Sequence, residues 1–348
     1  MKELIHRICE EMRSHLESKG EKPYAIEGTS HKSYELAGER MKQLRLNSSG
    51  MELAFIDGGL SEIVCGPSIA MHHLRLARVS YRGLEKEKTR VKDWLMLSKT
   101  VEEDGLYYVA KLFPLESKES PKTYRIRMDD PSLKEGLNTG TITRFASMVL
   151  RFSELRFAEE TAADMEKRSI IVLDGSLQAS YTGEEDIMDN LAKRCLEKEV
   201  LLMGMAKTSS MLTDSGQDMA FSLRSIEKNR AMHDKMWYYG PVISYDDPSY
   251  KADIFFVKLH KSARRLFRVE ISNAFEMVDI GKVLGDLATI SADPVFLGYP
   301  YGLIKADSLA RSTNNERMQL RTRLSGRIDI ESIEAAKDSH GVLDNIRF

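Results

Sequence analysis

Cysteine is scarce in this chain. Cys9, Cys65 and Cys195 are the only three in 348 residues, odd in number, far apart and without a CxxC pair. That pattern argues against a zinc site and for a reducing compartment. Long apolar runs are also missing. None approaches the ~18 residues of a membrane span, and Met1–Gly20 is too charged for a secretion signal, so a cytoplasmic protein with no membrane partner is expected. Net charge is nearly absent: 30% of residues are charged, yet they sum to −2. No global basic field announces nucleic acid, although a basic channel inside a near-neutral protein remains compatible with that charge. There is no GxxxxGK[ST] loop and no other Gly-rich phosphate cradle, which counts against a phosphotransferase.

What is present is a repeated strand ending. Ser169–Ser176 reads Ser-Ile-Ile-Val-Leu-Asp-Gly-Ser. Its four apolar residues, three of them β-branched, predict a short strand buried on both faces. The strand closes on Asp174, and Gly175 then permits a sharp turn. A carboxylate at the tip of a buried strand is costly unless a positive group stands beside it. Leu53-Ala54-Phe55-Ile56-Asp57-Gly58-Gly59 repeats the pattern. Two such strands can bring Asp57 and Asp174 around one cation, at the tips of adjacent core strands. The competing reading is ordinary Asp-Gly turn chemistry.

The rest of the chain supplies a frame for that pair. A length of 348 residues suits one large domain or two small ones. Apolar spacing predicts an N-terminal helix over residues 3–18, stopped by Gly20, and a second amphipathic helix from Ser33 to Leu46. Ile63-Val64 fits a hairpin continued across Gly58-Gly59. His72 and His73 are adjacent, so their side chains point apart, and a surface or core role is expected ahead of metal ligation. Short apolar stretches between residues 81 and 131 predict β-hairpins, with a solvated polar loop over Glu116–Lys122.

Thr143–Lys167 predicts a long helix with an apolar stripe. Glu154 lies at one edge of that stripe and Glu159 within it, and either can face the strand tips. Glu184–Lys198 reads as a helix and residues 200–206 as a second buried strand ending at Lys207, which can pair with acids or hold a phosphate. This strand–helix–strand run is a parallel crossover, so the class is α/β. Asp253–Leu259 and Leu266–Ile271 predict a hairpin around a basic turn, His260–Arg265, either a phosphate contact or a solvated tip. Ile280–Ile290 reads as a helix. Gly298-Tyr299-Pro300-Tyr301 then leads into a short helix carrying Asp307, and the Arg-rich tail beyond Glu316 is expected to be helical before it frays.

These motifs, in this order, resemble the NurA nucleases: Ile-Asp-Gly at Asp57, Val-Leu-Asp-Gly-Ser-Leu at Asp174, a strand ending Ala-Lys-Thr-Ser at Lys207, and Gly-Tyr-Pro-Tyr-x-Leu-Ile-x-Ala-Asp from Gly298 to Asp307. The resemblance runs from about Leu53 to Leu324. It implies a ribonuclease-H-like mixed sheet flanked by helices, with an N-terminal helical extension over residues 1–50, the nuclease domain over 51–325 and a tail over 326–348. It implies manganese- or magnesium-dependent cleavage of DNA, single-strand endonuclease and 5′–3′ exonuclease in type. A homodimer is implied, working with the hexameric ATPase HerA in DNA end resection and double-strand break repair.

Carried across residue by residue, the resemblance makes Asp57 and Asp174 metal-binding acids, Glu154 the helical metal acid with Glu159 its rival, and Tyr299 the late tyrosine. Where the family carries a histidine, eight residues further on, this chain has Asp307. An acid ligates a hard cation at least as well as histidine does, but a proton-transfer role needing neutral imidazole is put in doubt. Tyr299 is then expected to position the water or stack a base, and Lys207 to offset phosphate charge. Oxygen-rich ligands favour magnesium or manganese over zinc. The alternative function is a non-catalytic DNA-binding or assembly subunit on the same fold. The alternative for Asp307 is a plain ion pair with Arg311, one helical turn on.

Overall fold

The computed structural model describes residues 1–17, 20–25, 28–47, 49–116, 120–134, 136, 139–275 and 278–335. In chain order the elements are α1 (Lys2–Glu17), β1 (His31–Ser33), β2 (Met41–Gln43), β3 (Glu52–Cys65), β4 (Ile69–Arg82), β5 (Glu85–Glu102), β6 (Leu106–Pro114) and β7 (Lys122–Arg127). There follow α2 (Ile142–Asp164), β8 (Ile170–Asp174), α3 (Glu184–Lys198), β9 (Leu201–Ala206), α4 (Met219–Asn229), β10 (Trp237–Asp247), β11 (Tyr250–Lys258) and β12 (Phe267–Ser272). The last elements among the described residues are α5 (Ile280–Thr289), α6 (Tyr301–Ala310), α7 (Asn314–Ser325) and α8 (Ile330–Glu334).

One mixed sheet runs in the order β1-β10-β11-β12-β9-β8-β3-β4-β5-β6-β7, with β2 also paired to β10. At its centre β3, β4 and β5 are antiparallel neighbours, and β8 and β9 continue parallel to β3. Long α2 leads into β8, and α3 joins β8 to β9 as the crossover that a parallel pair requires. The five-strand order β5-β4-β3-β8-β9 is the ribonuclease-H-like core expected from the motifs. Antiparallel strands extend it at both edges.

Strand alternation sorts the core onto two faces. Ala54, Ile56, Ile171 and Leu173 pack with Phe145, Val149 and Leu155 of α2 and Leu191 of α3. Leu53, Phe55, Ile170 and Val172 pack on the opposite face with Leu284 and Leu287 of α5 and Leu303 of α6. Helix α2 starts where Thr141 accepts a hydrogen bond from the Arg144 N–H, an N-cap that satisfies one orphan donor. Helix α3 opens on Glu184, Glu185 and Asp186 and ends on Lys198, charges that complement the helix dipole.

Two expectations are corrected. Residues 33–46 form no amphipathic helix: β1 and β2 flank a single 3₁₀ turn at Gly38–Arg40, and both strands pair with β10. Met41 and Leu44 are buried three residues apart, a spacing that imitates a helix, but pairing at the sheet edge prevails. Nor is there a hairpin across Gly58-Gly59. β3 runs through both glycines paired with β4, shifts register once between Glu62 and Val64 and continues to Cys65, and the turn comes at Gly66, whose N–H bonds to Ile69 O. The polar loop of residues 116–122 lies partly outside the described residues, as does the tail beyond residue 335. No helix among the described residues is long and apolar enough to cross a membrane.

Candidate metal centre

The alternation that builds the core also aims the acids. Asp57 continues the Leu53–Phe55 series and Asp174 the Ile170–Val172 series, so both carboxylates fall on the α5/α6 face. The parallel register pairs Phe55 with Val172 and Ile56 with Leu173, and one further step sets Asp57 beside Asp174. Helix α6 brings Asp307 down on the same face. One carboxylate oxygen from each of Asp57, Asp174 and Asp307 lies within 4.8 Å of the others.

Glycines permit this convergence. A side chain on Gly302 would overlap the Phe55 ring, and one on Gly59 would overlap the Ala310 carbonyl at the end of α6. Without side chains at these positions, α6 lies flat on β3 and Asp307 reaches the strand tips. Gly58 points to the other face, where a Cβ would overlap the Glu154 carboxylate and lie 2.9 Å from Leu150 Cδ1. Glu154 of α2 therefore lies against β3 at Gly58, outside the group of three acids but close enough for its charge to raise the Asp57 pKa. Glu159 does not: its charge acts on the Cys195 thiol of α3, whose pKa burial chiefly pushes up to about 12.

The electrostatics are those of crowded acids. Burial, then the charges of Asp174 and Glu154, raise the Asp57 pKa to about 8. The Gly58 N–H donates to Asp57 Oδ1 over 2.8 Å and opposes that rise only in part. Burial raises Glu154 to about 7, with Asp174 adding to the rise and Arg151 opposing it. Desolvation and like charge both disfavour ionisation, so this cluster is short of positive charge near neutral pH.

Two groups partly compensate at Asp174. Lys207 Nζ donates to Oδ2 over 2.5 Å and lies 3.9 Å from Asp307 Oδ1. Desolvation works against its charge, but the hydrogen bond to Asp174 and the surrounding acids prevail and raise its pKa. The Tyr299 hydroxyl donates to Asp174 Oδ1 over 3.2 Å. Its pKa is raised, first by burial and then by Asp174, so it remains a donor. The Tyr299 ring is fully buried and stacks on Phe296 with centroids 4.9 Å apart. That enclosure removes the base-stacking role anticipated for it. At Asp307, Arg311 bonds both oxygens, at 3.0 and 2.9 Å.

The loop after Asp174 is fixed by residues whose part the sequence did not signal. Buried Glu270 of β12 accepts from the Leu177 N–H at 2.7 Å and the Ser176 hydroxyl at 3.0 Å. Arg151 donates to the Ser176 carbonyl and to buried Glu184, each at 2.7 Å. These contacts tie β8 to α2, α3 and β12 and hold the Asp174 tip in place.

The donor set suits a hard cation. All candidate ligands are carboxylate oxygens, three acids converge from separate elements, and the excess negative charge is one that a divalent ion relieves. No cysteine or histidine belongs to the cluster. Both histidines of β4 are buried, as expected, and His73 bonds Ser312 at 2.7 Å and Asp93 at 2.8 Å, stapling the α6–α7 junction to the sheet.

Comparison with known proteins gives one family. The model of the NurA domain matches residues 52–312, a span that holds the whole cluster. Among solved structures the chain is similar to human ENDOV, with 11% identity over 81% of this chain and 94% of that one and a TM-score of 0.37. It is also similar to the catalytic domain of human endonuclease V, with 12% identity, 81% and 92% coverage and a TM-score of 0.36. A third similar structure is A. aeolicus Argonaute, with 9% identity, 78% and 30% coverage and a TM-score of 0.33. No curated protein sequence matches the chain.

Proposed function

The chain belongs to the NurA family of nucleases, and from that membership we propose that it is a divalent-metal-dependent deoxyribonuclease acting at the Asp57–Asp174–Asp307 cluster. The observation that carries this reading is the convergence of three carboxylates from β3, β8 and α6 within 4.8 Å. With Glu154 alongside, they would hold manganese or magnesium. Such an ion, when bound, supplies an activated water and offsets charge on the leaving oxygen.

This chain's own groups do the positioning. The Tyr299 hydroxyl and Lys207 ammonium occupy the two oxygens of Asp174 and set its orientation. Asp57, held protonated near neutral pH, gives up its proton as positive charge enters the cluster. Lys207 is partly exposed and firmly cationic, so it is placed to meet a phosphate oxygen once Asp174 turns to another partner.

The substrate in this reading is DNA, cut as single strands internally and from 5′ ends, in end resection during double-strand break repair in the cytoplasm. Family membership supports a homodimer docked on a HerA-type ATPase. So does α1, where Leu4, Ile5, Ile8 and Met12 are all exposed, an apolar stripe suited to a protein partner. The test is cleavage of labelled single-stranded DNA and nicking of plasmid with manganese, with chelator, and with Asp174→Asn. Metal-dependent cleavage lost in the variant supports the proposal. A wild type that binds DNA without cutting it would instead make the chain a non-catalytic subunit on this fold.

A further inference from the structure

The basic turn of residues 260–265 has an address in the fold. β12 pairs antiparallel with β9, and Arg268 lies opposite Ala206, the residue before Lys207. The turn between β11 and β12 therefore projects from the same end of the sheet as Asp174 and Lys207. There it faces the segment between α5 and α6, and the two enclose an open groove of ≈ 570 Å³ lined by Ser262, Arg264, Arg265, Val295, Phe296 and Leu297.

The lining combines exposed cations with an aromatic face. Arg264 and Arg265 are both exposed, and neither has a carboxylate partner among the ion pairs of the described residues. The Arg265 guanidinium lies 5.3 Å from the Phe296 ring centroid. Phe296 is half-buried, and it packs on two further rings, Tyr299 stacked at 4.9 Å and Phe267 edge-on at 5.5 Å. Val295 beside it is 85% exposed. The contacts run without a break from Arg265 through Phe296 and Tyr299 to Asp174 Oδ1. Guanidinium groups recognise phosphate oxygens by paired donors, and an aromatic ring beside them offers a platform to any base.

We propose that this groove binds a single-stranded segment of the nucleic-acid substrate flanking the cleaved bond, with Arg264 and Arg265 on its phosphates and Phe296 against a base. The proposal rests on the nuclease reading above and adds where the strand lies. It also explains how a chain of net charge −2 engages a polyanion: the positive charge is local, at the sheet end that carries the acids.

The test is fluorescence anisotropy of a labelled oligo-dT with the Asp174→Asn protein, repeated over a range of salt. With Arg264→Ala and Arg265→Ala together, affinity should fall by about tenfold or more. The slope of log K against log salt should flatten by roughly 1.4, the release expected for two phosphates on a single strand. Arg264→Lys with Arg265→Lys should restore the slope. Phe296→Leu should weaken binding by about tenfold and leave the slope alone, because stacking carries no net charge. Unchanged affinity and slope in the double alanine variant, with a wild-type melting temperature, would overturn the proposal and leave the groove to a protein partner. That result is distinct from failure of the nuclease reading, which shows as absent metal-dependent cleavage by the wild type.

Discussion

Lys207 donates to Oδ2 of Asp174 over 2.5 Å, a contact that joins the ends of the parallel strands β9 and β8. The ammonium stands among Asp57, Asp174 and Asp307, the acids that would hold a cation, so the two positive charges compete. Lys207→Met should therefore bind manganese more tightly. The Lys207 side chain is 40% exposed, and solvent screening limits the gain to on the order of tenfold. The same variant should cut DNA more slowly and melt lower in chelator, where nothing then offsets the acids. Calorimetric titration with manganese checks the first effect, and weaker binding in the variant would show that orienting Asp174 outweighs the competition between the two positive charges.

The pH dependence of stability follows from Asp57 and Glu154. Their folded pKa values, about 8 and about 7, lie above ordinary carboxylate values. Between those limits the folded state binds more protons than the unfolded state. Stability without metal should therefore fall as pH rises from about 4 to about 8 and level off above that. Asp57→Asn removes one of the two ionisations: it should make the profile shallower and stabilise the protein at pH 8 by at least ~1 kcal/mol in chelator. Melting temperatures from pH 5 to 8.5 decide the matter. A wild-type profile that rises with pH would mean that the cluster is already neutralised.

Adjacent glycines should respond in opposite ways. At Gly58 an added methyl meets only side-chain atoms, the carboxylate and Cγ of Glu154 and Cδ1 of Leu150, which can turn aside where backbone cannot. Gly58→Ala should therefore lose metal affinity and cleavage, with a smaller fall in melting temperature than Gly59→Ala. At Gly59 the obstacle is the backbone carbonyl of Ala310, so α6 itself must move. Gly59→Ala should cost about 1–3 kcal/mol, as overpacking commonly does, and should carry Asp307 away from the cluster. Denaturant unfolding beside a cleavage assay separates the two, and equal stability losses would contradict the assignment.

Those same glycines show how far the site was legible. Asp57 and Asp174 could be read because each closes a run of buried strand residues, and strand alternation carries such a tip to a definite face. Lys207 could be read for the same reason. The Gly58-Gly59 pair suggested a turn, since sequence alone does not distinguish a glycine that bends the chain from one that lets another element approach. The choice between Glu154 and Glu159 was open on a drifting helical stripe, and it is Gly58 on a distant strand that admits Glu154. Glu270, Arg151 and Glu184 gave no signal at all, for their roles depend on β12, α2 and α3 meeting around the loop after Asp174. The edge strands β1 and β2 were obscured by a three-residue apolar spacing that matches a helix until β10 is present to pair with them.

The remaining prediction concerns Asp307, which the structure places in both of its anticipated settings: among the converging acids and bonded to Arg311. The two compete for one carboxylate. Arg311 is 73% exposed and pairs within a single helix turn, an arrangement that contributes only about 0.3–0.5 kcal/mol. A divalent ion bound by several carboxylates should displace it easily. In a manganese titration of cleavage, Asp307→Ala should shift the midpoint upward by about 10–100-fold. Its melting temperature in chelator should hold or rise, because one like charge has left the cluster. Arg311→Ala should shift the midpoint the other way by only about twofold. Asp307→His should stay active and gain a pH dependence near ~6.5, the ordinary imidazole value. Superimposable manganese curves for wild type and Asp307→Ala would place this carboxylate outside the working site and reduce it to the partner of Arg311.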